Sequence, residues 1–153
     1  MAFHHILLIV HLISATIWVG GHLVLAIGFL PKALKHQDFS YIEKFEKTYE
    51  PIGMPSLLFL VITGIWMAYD FGAKIGMWFS FANPIETVVS LKITGLLLTI
   101  CLAISAQTRV LPKLRKGKIE KLPEMTVHII LVTLIGVTLL VFGSFFRQGG
   151  FNL

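Results

Sequence analysis

Four stretches of this chain are apolar for long enough to cross a bilayer: residues 3–34, 51–69, 86–110 and 123–146. A hydrocarbon core about 30 Å thick is crossed by roughly 20 helical residues at about 1.5 Å each. The expected fold is therefore all-α, an integral membrane four-helix up-and-down bundle. A single transmembrane domain over residues 1–153 is expected. Composition agrees, with 56% hydrophobic residues, only 14% charged and a mean hydropathy of +0.82, outside the range of soluble domains. Residues 1–5 contain no Lys or Arg, and the apolar run that follows has no A-x-A site. The first run is thus expected to be a retained span rather than a cleaved signal. The single Cys101 lies inside the third run, where it forms no intrachain disulfide and serves as a small apolar filler.

Charge sets the expected orientation. Lys32, Lys35, Lys44 and Lys47 lie at the end of the first run or between it and the second, and Arg109, Lys113, Arg115, Lys116, Lys118 and Lys121 at the end of the third or between it and the fourth; these are ten of the thirteen basic residues. Basic residues in short loops stay cytoplasmic, so both termini are expected on the outer side, periplasmic if the membrane is a bacterial inner membrane. A basic skirt beside apolar spans suits the anionic headgroups of the lipid bilayer. It accounts for the sequence pI near 9.5 without nucleic acid as a partner. The segment 40–50 reads as an amphipathic helix at the cytoplasmic interface or an extension of the second span. Met77, Trp78, Phe79 and Phe81, in the outer loop, are expected to settle at headgroup level.

Ionisable groups inside the spans carry the functional argument, because such groups are costly in a membrane and mark functional sites. His4, His11, Ala15, Trp18, His22 and Leu25 recur at alternating fours and threes and form one stripe of the first helix, expected to face the bundle interior. Gly20, Gly21 and Gly28 on this helix, and Gly136 and Gly143 on the fourth, provide surfaces for close approach or a flat ligand. Lys92 stands early in the third run and His128 early in the fourth. By helical rise, His11 and Lys92 both fall roughly 10 Å toward the outer side of the membrane centre. His22 falls roughly 6 Å and His128 roughly 10 Å toward the cytoplasm. The expected pairs are His11 with Lys92 and His22 with His128, about 16 Å apart along the first helix.

Paired nitrogen donors in a dry bundle suit haem iron, which takes axial ligands from opposite faces of the porphyrin. Lysine ligates only as the neutral amine, the form favoured away from water. No C-x-x-C-H occurs, so the group would be non-covalent haem b, one or two per chain. Trp18 would then line the cofactor. The alternative roles are plain: an intramembrane His also serves as an interhelical hydrogen-bond partner, and Lys92 can snorkel outward.

The run His11-Leu12-Ile13-Ser14-Ala15-Thr16-Ile17-Trp18-Val19-Gly20-Gly21 resembles the opening helix of the copper-resistance D (CopD) membrane domain. Leu91-Lys92-Ile93 running on to Thr108-Arg109 is similar to that domain's third helix, with Gln107-Thr108-Arg109 in place of its Asn-Arg. More distantly the chain resembles the HemJ-type membrane protoporphyrinogen oxidases, in which a first-helix histidine and a third-helix lysine are implicated in haem b binding. That resemblance implies these roles for His11 and Lys92. The chain departs from the pattern after Trp18, at Gly20-Gly21-His22 and the later Leu30-Pro31-Lys32.

The leading expectation is a b-type haem protein that moves electrons within the membrane, with quinone or porphyrin as partner. A copper reading, implied by the first family's name, would use His4, His5, His11, Met67 and Met77 outside and His22, His128 and Met54 inside, since imidazole and thioether suit Cu(I). A protoporphyrinogen oxidase would use haem as its relay. A structural accessory subunit would use the same polar groups only to hold helices together. Glycine faces on the first and fourth helices could equally serve an oligomer. No hydrolytic triad, P-loop or dinucleotide fingerprint appears.

Overall fold

The computed structural model describes residues 2–146. Four helices long and apolar enough to cross a membrane form an all-α bundle: Phe3–His36, Ser40–Asp70, Pro84–Arg115 and Ile119–Phe145. These are spans 1 to 4. Span 1 joins α1 (Ala2–Val24) to α2 (Leu30–His36) through a π-helical turn, Leu25–Phe29. Span 2 is α3 (Ser40–Asp70). Span 3 joins α4 (Pro84–Ser105) to α5 (Leu111–Arg115) through a second π-helical turn, Ala106–Val110. Span 4 enters by a 3-10 turn, Ile119–Lys121, and continues as α6 (Leu122–Phe146). Large apolar side chains such as Ile13, Ile27, Leu58, Phe59, Ile104 and Leu134 point outward, as lipid contact requires.

Both π turns have the same cause. Pro31 and Pro112 lack an N–H and crowd the carbonyl four residues back, so the ladder widens there. The Leu30 N–H bonds the Leu25 carbonyl and the Leu111 N–H bonds the Ala106 carbonyl, each five residues back. Both spans then stop at a left-handed residue, Gln37 at φ 50° and Gly117 at φ 80°. The Asp38 N–H reaches the Ala33 carbonyl at 3.1 Å, and the Lys118 N–H reaches that of Lys113 at 3.0 Å, the closing bond of a Schellman end.

Span 1 packs along span 2, span 3 along span 4, and spans 1 and 4 meet between the hairpins; spans 2 and 3 share no comparable interface. The core at the end of the bundle that carries the basic loops gathers Leu30, Ala33, Ile42, Val110, Leu111 and Leu122. Segment 40–50 is the first part of the single helix Ser40–Asp70, which continues through Pro51 and Pro55. Glu43 there pairs with Arg115 and Lys47, both at 3.4 Å.

Outside the membrane core, Asp38 receives the Ser40 N–H and hydroxyl, each at 2.8 Å. The Ser40 N–H, then its hydroxyl, hold this carboxyl below its ordinary range. A depressed carboxylate stabilises above its ordinary titration and loses that contribution as pH falls through the lowered value. Acidification below about pH 4 is therefore expected to speed opening of the Ser40 amide, read by hydrogen exchange corrected for its intrinsic rate. An unchanged opening rate would exclude this cap.

At the opposite end of the bundle, Asn83 caps α4: its side-chain oxygen accepts the Glu86 N–H at 2.8 Å while its amide donates to Glu86 at 2.9 Å. The Ser80 hydroxyl also donates to Glu86. This reciprocal arrangement lets a carboxylate be buried at the head of an apolar helix. In the loop before it, the Trp78 indole donates to the Ala73 carbonyl at 3.1 Å and packs with Ala68 and Val89. Met77, Phe79 and Phe81 are exposed, so only Trp78 of the aromatic run turns inward.

Nine of the ten threonines donate to the carbonyl four residues back. Thr99 does not, and its enclosed hydroxyl has no partner. A buried unmade bond costs about 1–3 kcal/mol. Thr99→Val keeps the shape and removes the orphan group, so it is expected to raise the unfolding midpoint; a lowered midpoint would mean the hydroxyl is bonded.

Candidate cofactor site

The inner stripe of span 1 faces the bundle as expected, with Ala15, Trp18 and Leu25 buried. His11 lies against span 2, where a Cβ at Gly64 would stand 3.2 Å from its Cε1. Glycine at 64 thus gives the imidazole its place. The Thr63 hydroxyl donates to the Phe59 carbonyl at 2.6 Å, and a hydroxyl has one proton. Toward His11 it can only accept, so His11 Nδ1–H donates to Thr63 Oγ1 at 2.9 Å. The Leu60 carbonyl lies beside the same ring. With its proton on Nδ1, the ring presents a lone pair at Nε2, and no described donor is bonded to it.

Lys92 comes from span 3 and lies on span 4: a Cβ at Gly143 would stand 3.3 Å from Nζ. No described acceptor is hydrogen-bonded or ion-paired with this Nζ. Each hairpin thus seats one nitrogen donor on a glycine: His11 on Gly64, beside Thr63, in spans 1 and 2, and Lys92 on Gly143 in spans 3 and 4.

His22 lies deeper on the stripe. Its Nδ1–H donates to the Trp18 carbonyl at 2.9 Å, and its ring sits 4.5 Å from the Trp18 ring and 6.0 Å from that of Tyr49. The Tyr49 hydroxyl donates to the same carbonyl at 2.9 Å. The Trp18 ring rests on Gly136 of span 4. No described donor meets His22 Nε2.

His128 is bonded at both nitrogens. Nδ1–H donates to the Glu124 carbonyl at 2.8 Å, so Nε2 accepts the Ser105 hydroxyl at 3.1 Å. The second bond joins spans 4 and 3. Neither nitrogen of His128 is hydrogen-bonded to His22. His4, near the start of span 1, has Nδ1 3.1 Å from an Asp70 carboxylate oxygen. Met54 and Met77 are exposed. Among the described residues no group of three or more His, Cys, Asp or Glu side chains could hold a metal ion.

Thr63 and Ser105 are the functional neighbours that sequence reasoning missed. A signal for Thr63 was present: His4 meets Asp70, and seven residues further along span 1 His11 meets Thr63, seven residues back along span 2. Fixing one contact of an antiparallel hairpin fixes the rest.

No protein-family model, curated protein or solved structure matches this chain.

Proposed function

We propose that this chain is a b-type haem protein of the membrane that moves electrons within the bilayer, and that His11 and Lys92 are the residues that would hold the haem. The supporting observation is the state of the two nitrogens. His11 is held by Nδ1–H on Thr63, leaving Nε2 as a lone pair, and Lys92 Nζ has no bonded partner among the described residues. An imidazole tied at one nitrogen and open at the other is the usual preparation of a ligating histidine. Haem iron draws most of its donors from the macrocycle and needs only an axial pair from protein. A bare copper ion needs a fuller protein donor set, so the donor count favours haem over copper.

The roles of the residues follow. Thr63 fixes the tautomer and plane of His11. Lys92 supplies a second nitrogen, as the neutral amine. Gly64 and Gly143 leave room beneath the two donors, and Trp18 forms an apolar wall below them. Haem b, when bound, supplies a one-electron Fe(III)/Fe(II) couple. His22, with Nε2 open and Nδ1–H held by the Trp18 carbonyl, is the candidate ligand of a second haem; His128 could join it only by giving up Ser105. A lipid-soluble quinone is the fitting redox partner. The basic loops support a bacterial inner membrane with both termini periplasmic.

The test is the optical spectrum of detergent-purified protein, oxidised and dithionite-reduced, with metal analysis of the same sample. A Soret band with reduced α and β bands at one or two haems per chain is expected. Protein that stays colourless after haem reconstitution overturns the reading. Thr63→Val should weaken haem binding by about 10- to 100-fold, the usual weight of an outer partner; unchanged affinity would remove Thr63 from the site.

A further inference from the structure

The two hairpins carry the same construction. Leu30-Pro31-Lys32 in span 1 recurs as Leu111-Pro112-Lys113 in span 3, an offset of 81 residues (111 minus 30). Each triplet follows a five-residue π-helical turn and leads to a Schellman end. Leu30 and Leu111 are both buried, as are Ala33 and Leu114. The same offset carries His11 onto Lys92 (92 minus 11). Their surroundings are alike at an offset two residues shorter, 79 (143 minus 64): His11 lies on Gly64 of the span that follows it, and Lys92 on Gly143 of the span that follows it. Spans 1 and 3 run in the same direction, as parallel repeats about an axis along the membrane normal require, and such repeats place sites at their interface.

We propose that His11 and Lys92 are the two copies of one ligand position in a duplicated two-span unit, so that the group between them is two-faced and accepts an exchange of the two donors. This rests on the haem reading. It adds what that reading lacks, a reason for the positions and for the unequal residues. When Gly64 is aligned with Gly143, Thr63 falls on Phe142. The second copy therefore offers no side-chain oxygen there to orient an imidazole. A lysine, a point donor on a flexible stem, needs none, whereas an imidazole does.

The test uses the full chain reconstituted with haem, comparing wild type, Lys92→His, Lys92→His with Phe142→Thr, and the exchange variant His11→Lys with Lys92→His. Lys92→His should keep haem and show the electron paramagnetic resonance signature of two imidazoles. Adding Phe142→Thr should tighten its haem binding by about tenfold, by restoring the missing outer partner. The exchange variant should bind haem with the wild-type spectrum, and it carries the test if Lys92→His alone fails to fold. Folded Lys92→His or exchange protein without haem, a Lys92→His spectrum identical to wild type, or no tightening from Phe142→Thr would overturn the proposal. A wild type that takes no haem is a different result, because it removes the haem reading first and this inference with it.

Discussion

Purified His11→Ala protein is expected to lose its Soret absorption, with haem affinity down by more than about 100-fold, beyond the loss expected for an outer partner. Lys92→Ala should lose less, retaining haem with a changed spin state, because the anchored imidazole remains on the other face. The difference follows from geometry: His11 is fixed by Thr63 at 2.9 Å and seated on Gly64, while Lys92 Nζ has no bonded anchor among the described residues. The competing role, in which these groups only join helices, predicts the opposite balance. An interhelical hydrogen bond in a membrane is worth roughly 0.6 kcal/mol on average, so His11→Ala would then lower the melting temperature slightly and leave every spectrum unchanged. Soret absorbance per chain and thermal unfolding, measured on one preparation, separate the two.

Much of this arrangement was legible before any coordinates. The spans follow from hydropathy, and the inward face of span 1 from the spacing of His11, Ala15, Trp18 and His22. The shared level of His11 and Lys92 follows from counting residues along helices. What composition cannot carry is the azimuth of the other spans. Span 2 holds no charged residue at this level, so nothing in its periodicity singled out Thr63 or Gly64. His128 illustrates the converse: its depth was readable, but its Nε2 is bonded to Ser105, and a serine at the junction of α4 with the π turn gives no sequence signal. The π turns were equally hidden as geometry, although their cause, Leu-Pro-Lys repeated at 81 residues, is written in the chain. Reading the two triplets together would have identified the internal repeat, and with it the equivalence of positions 11 and 92.

Gly21→Val is expected to destabilise the protein by about 3 kcal/mol, whereas Gly20→Val, one residue away, should change stability by less than about 0.5 kcal/mol. The Tyr49 ring is the reason. It fills the space between spans 1 and 2 so closely that a Cβ at Gly21 would fall within it, and one at Gly53 would stand 2.5 Å from its Cε1. A Cβ at Gly20 would meet nothing within 4 Å. Valine at 21 must expel the ring, at the cost of overpacking and of the Tyr49 hydroxyl's bond to the Trp18 carbonyl. That carbonyl also receives His22 Nδ1–H, so the damage should extend to the orientation of His22 and leave His11 in place. A double variant, Gly21→Val with Tyr49→Ala, removes the collision and should recover much of the loss; failure to recover would show that Gly21 is needed for its backbone and not for the ring it admits. Unfolding midpoints of the four proteins in one detergent give the answer. If Gly20 and Gly21 prove equally sensitive, the Tyr49 wedge does not hold this hairpin together.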